Sequence, residues 1–130
     1  MFSCQMPITL PFCIFVSHYK GSITDAELLN DWESIIDSGA WIPDTNELAD
    51  LSEADLSNLT TDGIRALADY FISLSTENNV TPNKKTAIYA PNELNFGLAR
   101  MYGIFAFGSS QNIEFFYKRE EAIQWLENNK

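Results

Sequence analysis

Histidine, cysteine and positive charge are all scarce in this chain, and each scarcity argues against a class of function. The one histidine is His18, and the two cysteines are Cys4 and Cys13. A general base needs a nucleophile within reach, and the chain holds no Gly-x-Ser-x-Gly elbow; a pairing of His18 with Cys4 or Cys13 matches no thiol-enzyme signature. His18 therefore reads as a half-buried strand residue. The cysteine spacing fits neither CxxC nor a zinc pattern, so Cys4 and Cys13 read as reduced thiols in a cytoplasmic protein rather than as a disulfide. Lysine and arginine number 8 against 18 acidic residues, a formal charge of −10 with no basic run. Such a surface repels phosphate backbones and anionic headgroups, which argues against nucleic-acid binding and electrostatic membrane attachment. No apolar run reaches the roughly 18–20 residues of a membrane helix. The start, MFSCQMPITLPFCIFV, is apolar but lacks the positive region and cleavage site of a signal peptide, so it reads as part of the domain. The acidic stretch Asp50, Glu53 and Asp55 lacks the Asp-x-Asp-x-Asp-Gly spacing of a calcium loop and reads as solvated. No catalytic set, metal site or cofactor motif is indicated.

What is present is a regular alternation. A chain of 130 residues forms one domain that buries about two-thirds of its unfolded surface. Ile8 to Tyr19 looks extended, and Pro11 confines any strand before it to an edge or a brief hairpin. Lys20-Gly21-Ser22 reads as a turn. Thr24 and Glu27 match a capping box, and Leu28, Leu29, Trp32, Ile35 and Ile36 give the helix one apolar face, closed by Ser38-Gly39. Trp41 to Asp44 is a connecting loop. Asn46 to Leu51 is a strand weak in propensity, required by its place between two helices. Leu51 to Leu59 reads as an acidic loop. Thr60-Thr61-Asp62-Gly63 offers N-cap oxygens to a second helix bearing Ile64, Leu67, Ala68, Phe71 and Ile72. Glu77 to Lys85 is polar with a Pro-Asn turn.

The clearest unit follows, a strand over 86–90 and a helix over about 93–107. After Gly108-Ser109-Ser110 come a strand at Ile113 to Tyr117 and a helix at Glu120 to Asn128, with Ala122, Trp125 and Leu126 facing in. The order β-α-β-α-β-α-β-α implies a mainly parallel sheet of four or five strands joined by right-handed crossovers, with helices packed on it.

The chain also resembles the SpoIIAA-like family, which groups STAS domains with uncharacterised bacterial proteins. The resemblance rests on Tyr19-Lys20-Gly21-Ser22-Ile23-Thr24, on Leu48 to Ser52, and on Leu59 to Ile64. Ala90-Pro91-Asn92-Glu93-Leu94 with Phe96 to Tyr102 is the most specific stretch, and Phe116 with Glu120 to Leu126 completes it. It covers about residues 12–127 of a single domain spanning 1–130. It implies a four-turn β-α superhelix and transfers no catalytic residue. STAS anti-anti-sigma factors carry Asp-Ser-Ser-Gly at a helix start and are phosphorylated on the first serine. That motif aligns here with Thr60-Thr61-Asp62-Gly63. Thr61 is the phosphoacceptor position, at a helix N-terminus where phosphate is well placed, but Asp62 beside it repels a phosphate. Helix capping is the plainer role for Thr61.

Two groups of residues remain as candidate sites. Asp50, Ser52, Thr61 and Asn92 should gather at the carboxyl edge of the sheet, where open α/β sheets bind ligands and helix N-termini point. The third helix has two apolar stripes, Leu94, Leu98, Met101 and Phe105, and then Phe96, Ala99, Gly103 and Phe107, with Arg100 and Asn95 as polar interruptions. A helix on a sheet needs one such stripe. The second, together with Arg100 beside it (Phe96, Ala99, Arg100, Gly103 and Phe107), is the candidate binding surface, expected to meet a neighbouring helix, a partner protein, a second copy in a homodimer, or a small apolar ligand. The chain thus reads as a non-enzymatic binding module of regulatory type, or as a small apolar-ligand carrier.

Overall fold

A computed structural model describes residues 2–5, 14–39, 45–78, 84–107 and 111–128. The strands are β1 (Phe2–Gln5), β2 (Ile14–Ser22), β3 (Asn46–Asp55), β4 (Lys84–Tyr89) and β5 (Gln111–Phe116). The helices are α1 (Asp25–Asp37), α2 (Thr61–Asn78), α3 (Glu93–Phe105) and α4 (Arg119–Glu127). The five strands lie in chain order, β1-β2-β3-β4-β5. Strands β2 to β5 are mutually parallel, and β1 pairs antiparallel with β2 at one edge. The expected α/β alternation with a parallel sheet is therefore present, with one added edge strand. Ile8, Pro11, Cys13 and the loop from Trp41 to Asp44 lie outside the described residues.

Strands that advance steadily in one direction through right-handed crossovers put every intervening helix on the same face. Phe15, Tyr19, Ala49 and Ile88 pack there against Leu28 and Trp32 of α1, Leu67 and Phe71 of α2, and Ala99 of α3. Helix α4, which follows β5, covers the other face. Ile14, Val16, Leu48 and Ala87 meet Ala122 and Leu126 of α4. Burial on both sides is why these strands are apolar without strict alternation. Trp32 is the largest fully buried side chain. Its ring lies 5.9 Å from Phe15 and 5.0 Å edge-on from Phe71, and its Nε1 donates to Tyr19 Oη at 3.0 Å. A buried indole needs such a partner for its N–H.

Helix boundaries follow side-chain chemistry. Thr24 and Glu27 form the expected capping box, the Glu27 amide donating to Thr24 Oγ1 at 3.3 Å and the Thr24 amide to Glu27 Oε1 at 3.0 Å. The Thr24 amide, and then its hydroxyl, hold the Glu27 carboxyl below its usual range. Gly39 follows α1 with φ +82°, in the left-handed region that ends helices.

Two sequence expectations are corrected. Lys20-Gly21-Ser22 is not a turn, and Leu51 to Leu59 is not all loop. Both segments continue as strand, with Lys20 opposite Glu53, Gly21 opposite Ala54 and Ser22 opposite Asp55. A register shift between His18 and Lys20 and a φ of +74° at Gly21 carry β2 through the bend. Glycine and acidic residues carry low strand propensity, and the ladder overrides it.

Candidate functional site

Helix α3 is oriented by one polar residue. Asn92 caps it, its side chain accepting from the Asn95 amide at 2.8 Å. Asn95 is 1% exposed, and its Nδ2 donates to the Leu51 carbonyl at 3.3 Å and the Ala54 carbonyl at 3.0 Å. Strand β4 pairs with β3 only as far as Tyr89 opposite Asp50, so among the described residues the farther part of β3 has no strand on that side. Asn95 supplies donors where the strand stops. Anchoring Asn95 inward turns Ala99 and Ala106 inward too, four and eleven residues on.

The inner stripe of α3 therefore differs from the expected one. Ala99, on the second of the two stripes, is buried within the domain. Leu94, assigned to the core stripe, is 53% exposed. Gly103 faces the sheet, where a Cβ would lie 2.5 Å from Phe115 Cζ, so the missing side chain lets α3 sit close to β5. Phe96 is half-buried and stacked on Tyr117, with centroids 4.0 Å apart and planes 5° from parallel. Arg100 and Phe107 face outward, Phe107 at 90% exposure. Ile104, at 72%, completes the patch and was missed. Its signal was available, since it lies four residues beyond Arg100 and three before Phe107.

Arg100, Gly103, Ile104, Phe107, Ile113 and Phe115 line a groove of about 250 Å³ between α3 and β5. Among the described residues β5 is the sheet's outer strand on this side, and its far edge carries no ladder partner there. On the opposite flank the Arg65 guanidinium lies 4.2 Å over the Phe105 ring.

A second space lies inside the domain, beneath α2. On the helix-covered face the centre of the sheet carries small side chains, Ser17, Ala49, Thr86 and Ala90, all buried. Leu67 and Phe71 of α2, Trp32 of α1 and Leu98 of α3 border this hollow, leaving a half-open pocket of about 80 Å³. Its walls are mostly apolar; Glu47 and Thr86 sit side by side on β3 and β4, and Tyr19, Trp32 and Tyr102 also border it. Glu47 is 5% exposed and accepts from Ser17 Oγ at 3.0 Å.

No family model matches the chain, and no curated protein matches it. Among solved structures it is similar to an uncharacterised protein of the DUF3478 family with a SpoIIAA-like fold, from Shewanella loihica PV-4. The two superpose with a TM-score of 0.61 over 96% of this chain and 93% of that one, at 19% identity.

The fold is SpoIIAA-like.

At that identity the likeness extends to the fold, and site residues must be read from this chain's own side chains. At the carboxyl edge of the SpoIIAA-like sheet the four expected residues do not share either cavity. Asp50 Oδ1 accepts from the Ser52 amide at 2.9 Å, and its Oδ2 lies 3.9 Å from Arg119 Nε. Asn92 is committed to its cap. Thr61 is exposed in the first turn of α2, whereas the cap itself is Thr60, whose Oγ1 accepts from the Gly63 amide at 3.1 Å. The positive end of α2 already faces a carboxylate: Asp25 accepts from the Thr60 amide at 2.9 Å and from its hydroxyl at 2.5 Å.

The other two acids of the 50–55 stretch, Glu53 and Asp55, are also engaged locally. His18 Nε2 lies 2.9 Å from Glu53 Oε1. Asp55 accepts from the Ser57 hydroxyl at 2.6 Å and amide at 3.1 Å, which hold its carboxyl below the usual range, the hydroxyl more strongly. Among the described residues no three His, Cys, Asp or Glu side chains are grouped as a metal ion requires. Nor is any described helix long and apolar enough to cross a membrane.

Proposed function

We propose that this chain is a non-enzymatic binding module that docks another protein chain on the face formed by α3 and the β5 edge. The observation that carries the reading is Phe107, a phenylalanine 90% exposed beside Ile104 at 72%, next to a groove along β5, which pairs with β4 on one side and has no partner on its other edge among the described residues. Isolated apolar residues on a surface are ordinary, but a contiguous group beside a free backbone edge marks an interaction site. The six residues of β5, Gln111–Phe116, include one charge, Glu114, so little in the strand discourages a neighbour from pairing. A partner strand added there gains ladder hydrogen bonds while its side chains reach the groove. A second copy of the chain fits this edge, because a two-fold axis pairs β5 with its own copy in antiparallel register. Light scattering coupled to gel filtration tests self-docking: a dimer that Phe107→Glu converts to a folded monomer is expected. A wild-type monomer at high concentration removes the self-docking form. Failure of Phe107→Glu to weaken any captured partner removes the face altogether.

A second reading, carriage of a small apolar ligand, is supported by a different feature, the cavity beneath α2. Solvent extraction of protein purified from its native host should release a stoichiometric small molecule. Repeated absence of one counts against carriage.

A further inference from the structure

We infer that the chain docking on the α3 and β5 face is a second copy, joined by antiparallel pairing of β5 with its own copy about a two-fold axis at Ile113. This rests on the docking reading and adds to it the partner and the register. The first observation is the direction of the β5 backbone. The Phe116 carbonyl accepts from the Ala90 amide at 2.9 Å, so Phe116 turns its backbone groups toward β4. Successive residues of a strand turn theirs to opposite sides. Asn112 and Glu114 therefore also serve β4, and Gln111, Ile113 and Phe115 offer theirs to the outer edge. An axis at Ile113 sets Ile113 opposite its own copy and Gln111 opposite Phe115 of the second copy, and each such pair exchanges two hydrogen bonds. That centre uses every outward residue of the strand. An axis at Glu114 would pair Gln111 beyond the end of β5 and set Glu114 against its own copy, where like charges repel. With the axis at Ile113, exposed Glu114 lies opposite exposed Asn112 of the second copy, whose amide can donate to it.

The second observation is where the charge lies. Residues 1–83 hold 13 of the 18 acidic residues and 2 of the 8 basic ones, whereas residues 84–130 hold 5 acidic and 6 basic. The formal charge is thus −11 before residue 84 and +1 from there on. Because the strands lie in chain order, the nearly neutral part, which carries β4, α3, β5 and α4, is the β5 side of the sheet. Two copies of a chain of charge −10 repel, and their acidic parts stay farthest apart when the β5 edges meet. From β3 of one chain to β3 of the other is then five strand spacings, roughly 24 Å, or about three Debye lengths at physiological salt. A strongly basic partner finds no acidic patch here, since Glu114 is the one acid of β5 and Arg100 lines the groove. On the α3 side the axis brings the two grooves together, so Ile104 and Phe107 of each chain lie along the seam.

The test uses the full chain. Sedimentation should show a dimer whose dissociation constant changes by less than about threefold between low and high salt, because the contact pairs no net charges. Ile113 turns its N–H to the free edge, so Ile113→Pro spares the β4 ladder. It should weaken the dimer by about tenfold or more while circular dichroism stays unchanged. A second measurement stands if that variant does not fold. Asn112→Cys protein mixed with Glu114→Cys protein should form an oxidised cross-link between the two, since residues opposite in this register lie about 4.5 Å apart at Cα. Neither protein alone should cross-link through its new cysteine, and mass spectrometry of the linked peptides tells these products from those of Cys4 and Cys13. A cross-link of Glu114→Cys to its own copy overturns the register. A dimer that Phe107→Glu dissolves but Ile113→Pro leaves intact, with no cross-link between positions 112 and 114, overturns the strand pairing and keeps the docking face. Weakening by salt of about tenfold or more would mean an ionic interface elsewhere on the chain and overturn the inference. A wild-type monomer at high concentration overturns the second copy, and the docking reading then stands or falls by the effect of Phe107→Glu on a captured partner.

Discussion

The carboxylate of Asp25, first residue of α1, bonds Thr60 twice at the start of α2, through the amide at 2.9 Å and the hydroxyl at 2.5 Å. The negative group sits where the N-terminus of α2 is positive, so one side chain both caps a helix and ties two helices together. Gly63 makes room for it. A Cβ at that position would lie 2.0 Å from Asp25 Oδ1. Gly63→Ala is therefore expected to lower stability by about 1–3 kcal/mol, by expelling the carboxylate and breaking both bonds. Asp25→Ala should cost a similar amount. The double variant should cost much less than the sum, since both changes remove one interaction. Urea denaturation of the four proteins measures this. Additive losses would show that Gly63 and Asp25 act separately.

The same contact bears on Thr61. A phosphate there would share the first turn of α2 with Asp62 and with the Asp25 carboxylate. Thr61→Glu is expected to lower the denaturation midpoint relative to Thr61→Gln, since the helix N-terminus that would welcome the charge already holds one. In an Asp25→Asn background the order should reverse, with the glutamate variant the more stable. If Thr61→Glu raises the midpoint of the otherwise unaltered protein, Thr61 regains standing as a phosphoacceptor position.

Asn95 is the residue on which the placement of α3 depends. Its Nδ2 serves the Leu51 and Ala54 carbonyls where β3 outruns β4. Asn95→Leu should cost about 2–4 kcal/mol, because two carbonyls lose their donor and a larger side chain enters a packed site. Asn95→Asp should cost more, since a carboxylate offers those carbonyls no N–H. Hydrogen exchange should quicken over Ser52 to Asp55 in both variants before other strands respond. Unchanged protection there would separate Asn95 from the β3 extension.

Asn95 also shows why the fold was legible in the sequence and the site only partly so. Apolar periodicity, the Thr24–Glu27 capping box and Gly39 reported local chemistry, and the structure keeps each of them. The order of elements followed, because right-handed crossovers leave few ways to connect them. The extension of β2 and β3 was hidden, since Gly21, Glu53 and Asp55 carry no strand propensity and pair only because the ladder continues. Helix α3 read as two apolar stripes because apolarity alone does not say which side an amphipathic helix buries when both sides are apolar. A polar residue settled it, and it did so through carbonyls more than forty positions away in the chain. Thus Arg100 and Phe107 were placed on the outer face and Ala99 was not. The cavity had no sequence signal, because Ser17, Ala49, Thr86 and Glu47 become neighbours only across strands.

Acid should expose the local hydrogen bonds of the acidic surface. The Ser57 hydroxyl, and then its amide, lower the carboxyl of Asp55. A carboxyl lowered in the folded state contributes stability above its unfolded value and loses it as pH falls through the folded one. Ser57→Ala removes the stronger of the two causes and leaves the carboxyl in place. The Asp55 carboxyl carbon should then titrate at a higher pH than in the unaltered protein. The stability gap between the two proteins should be present at neutral pH and close below the usual carboxylate range. A gap that persists at low pH would assign the effect of Ser57 to the turn itself.

Phe96 and Phe107 separate folding from docking on the same helix. Phe96 is half-buried, stacked at 4.0 Å on Tyr117 and 6.1 Å from Phe115. Phe96→Ala should cost about 1–3 kcal/mol, below the value for a fully buried phenylalanine because one side of the ring pair meets solvent. Phe107 is 90% exposed and contributes little to its own domain. Phe107→Glu should therefore change stability by less than about 0.5 kcal/mol, as surface substitutions do. If the α3 and β5 face docks a chain, the same variant should lose association by tenfold or more, since a charge would be buried in an apolar contact. The two measurements are independent, one by denaturation of dilute protein and one by sedimentation at rising concentration. A Phe107→Glu protein that is as stable and as associated as the unaltered chain would leave the exposed ring without a partner. A Phe107→Glu protein as destabilised as Phe96→Ala would mean that the ring packs within its own domain.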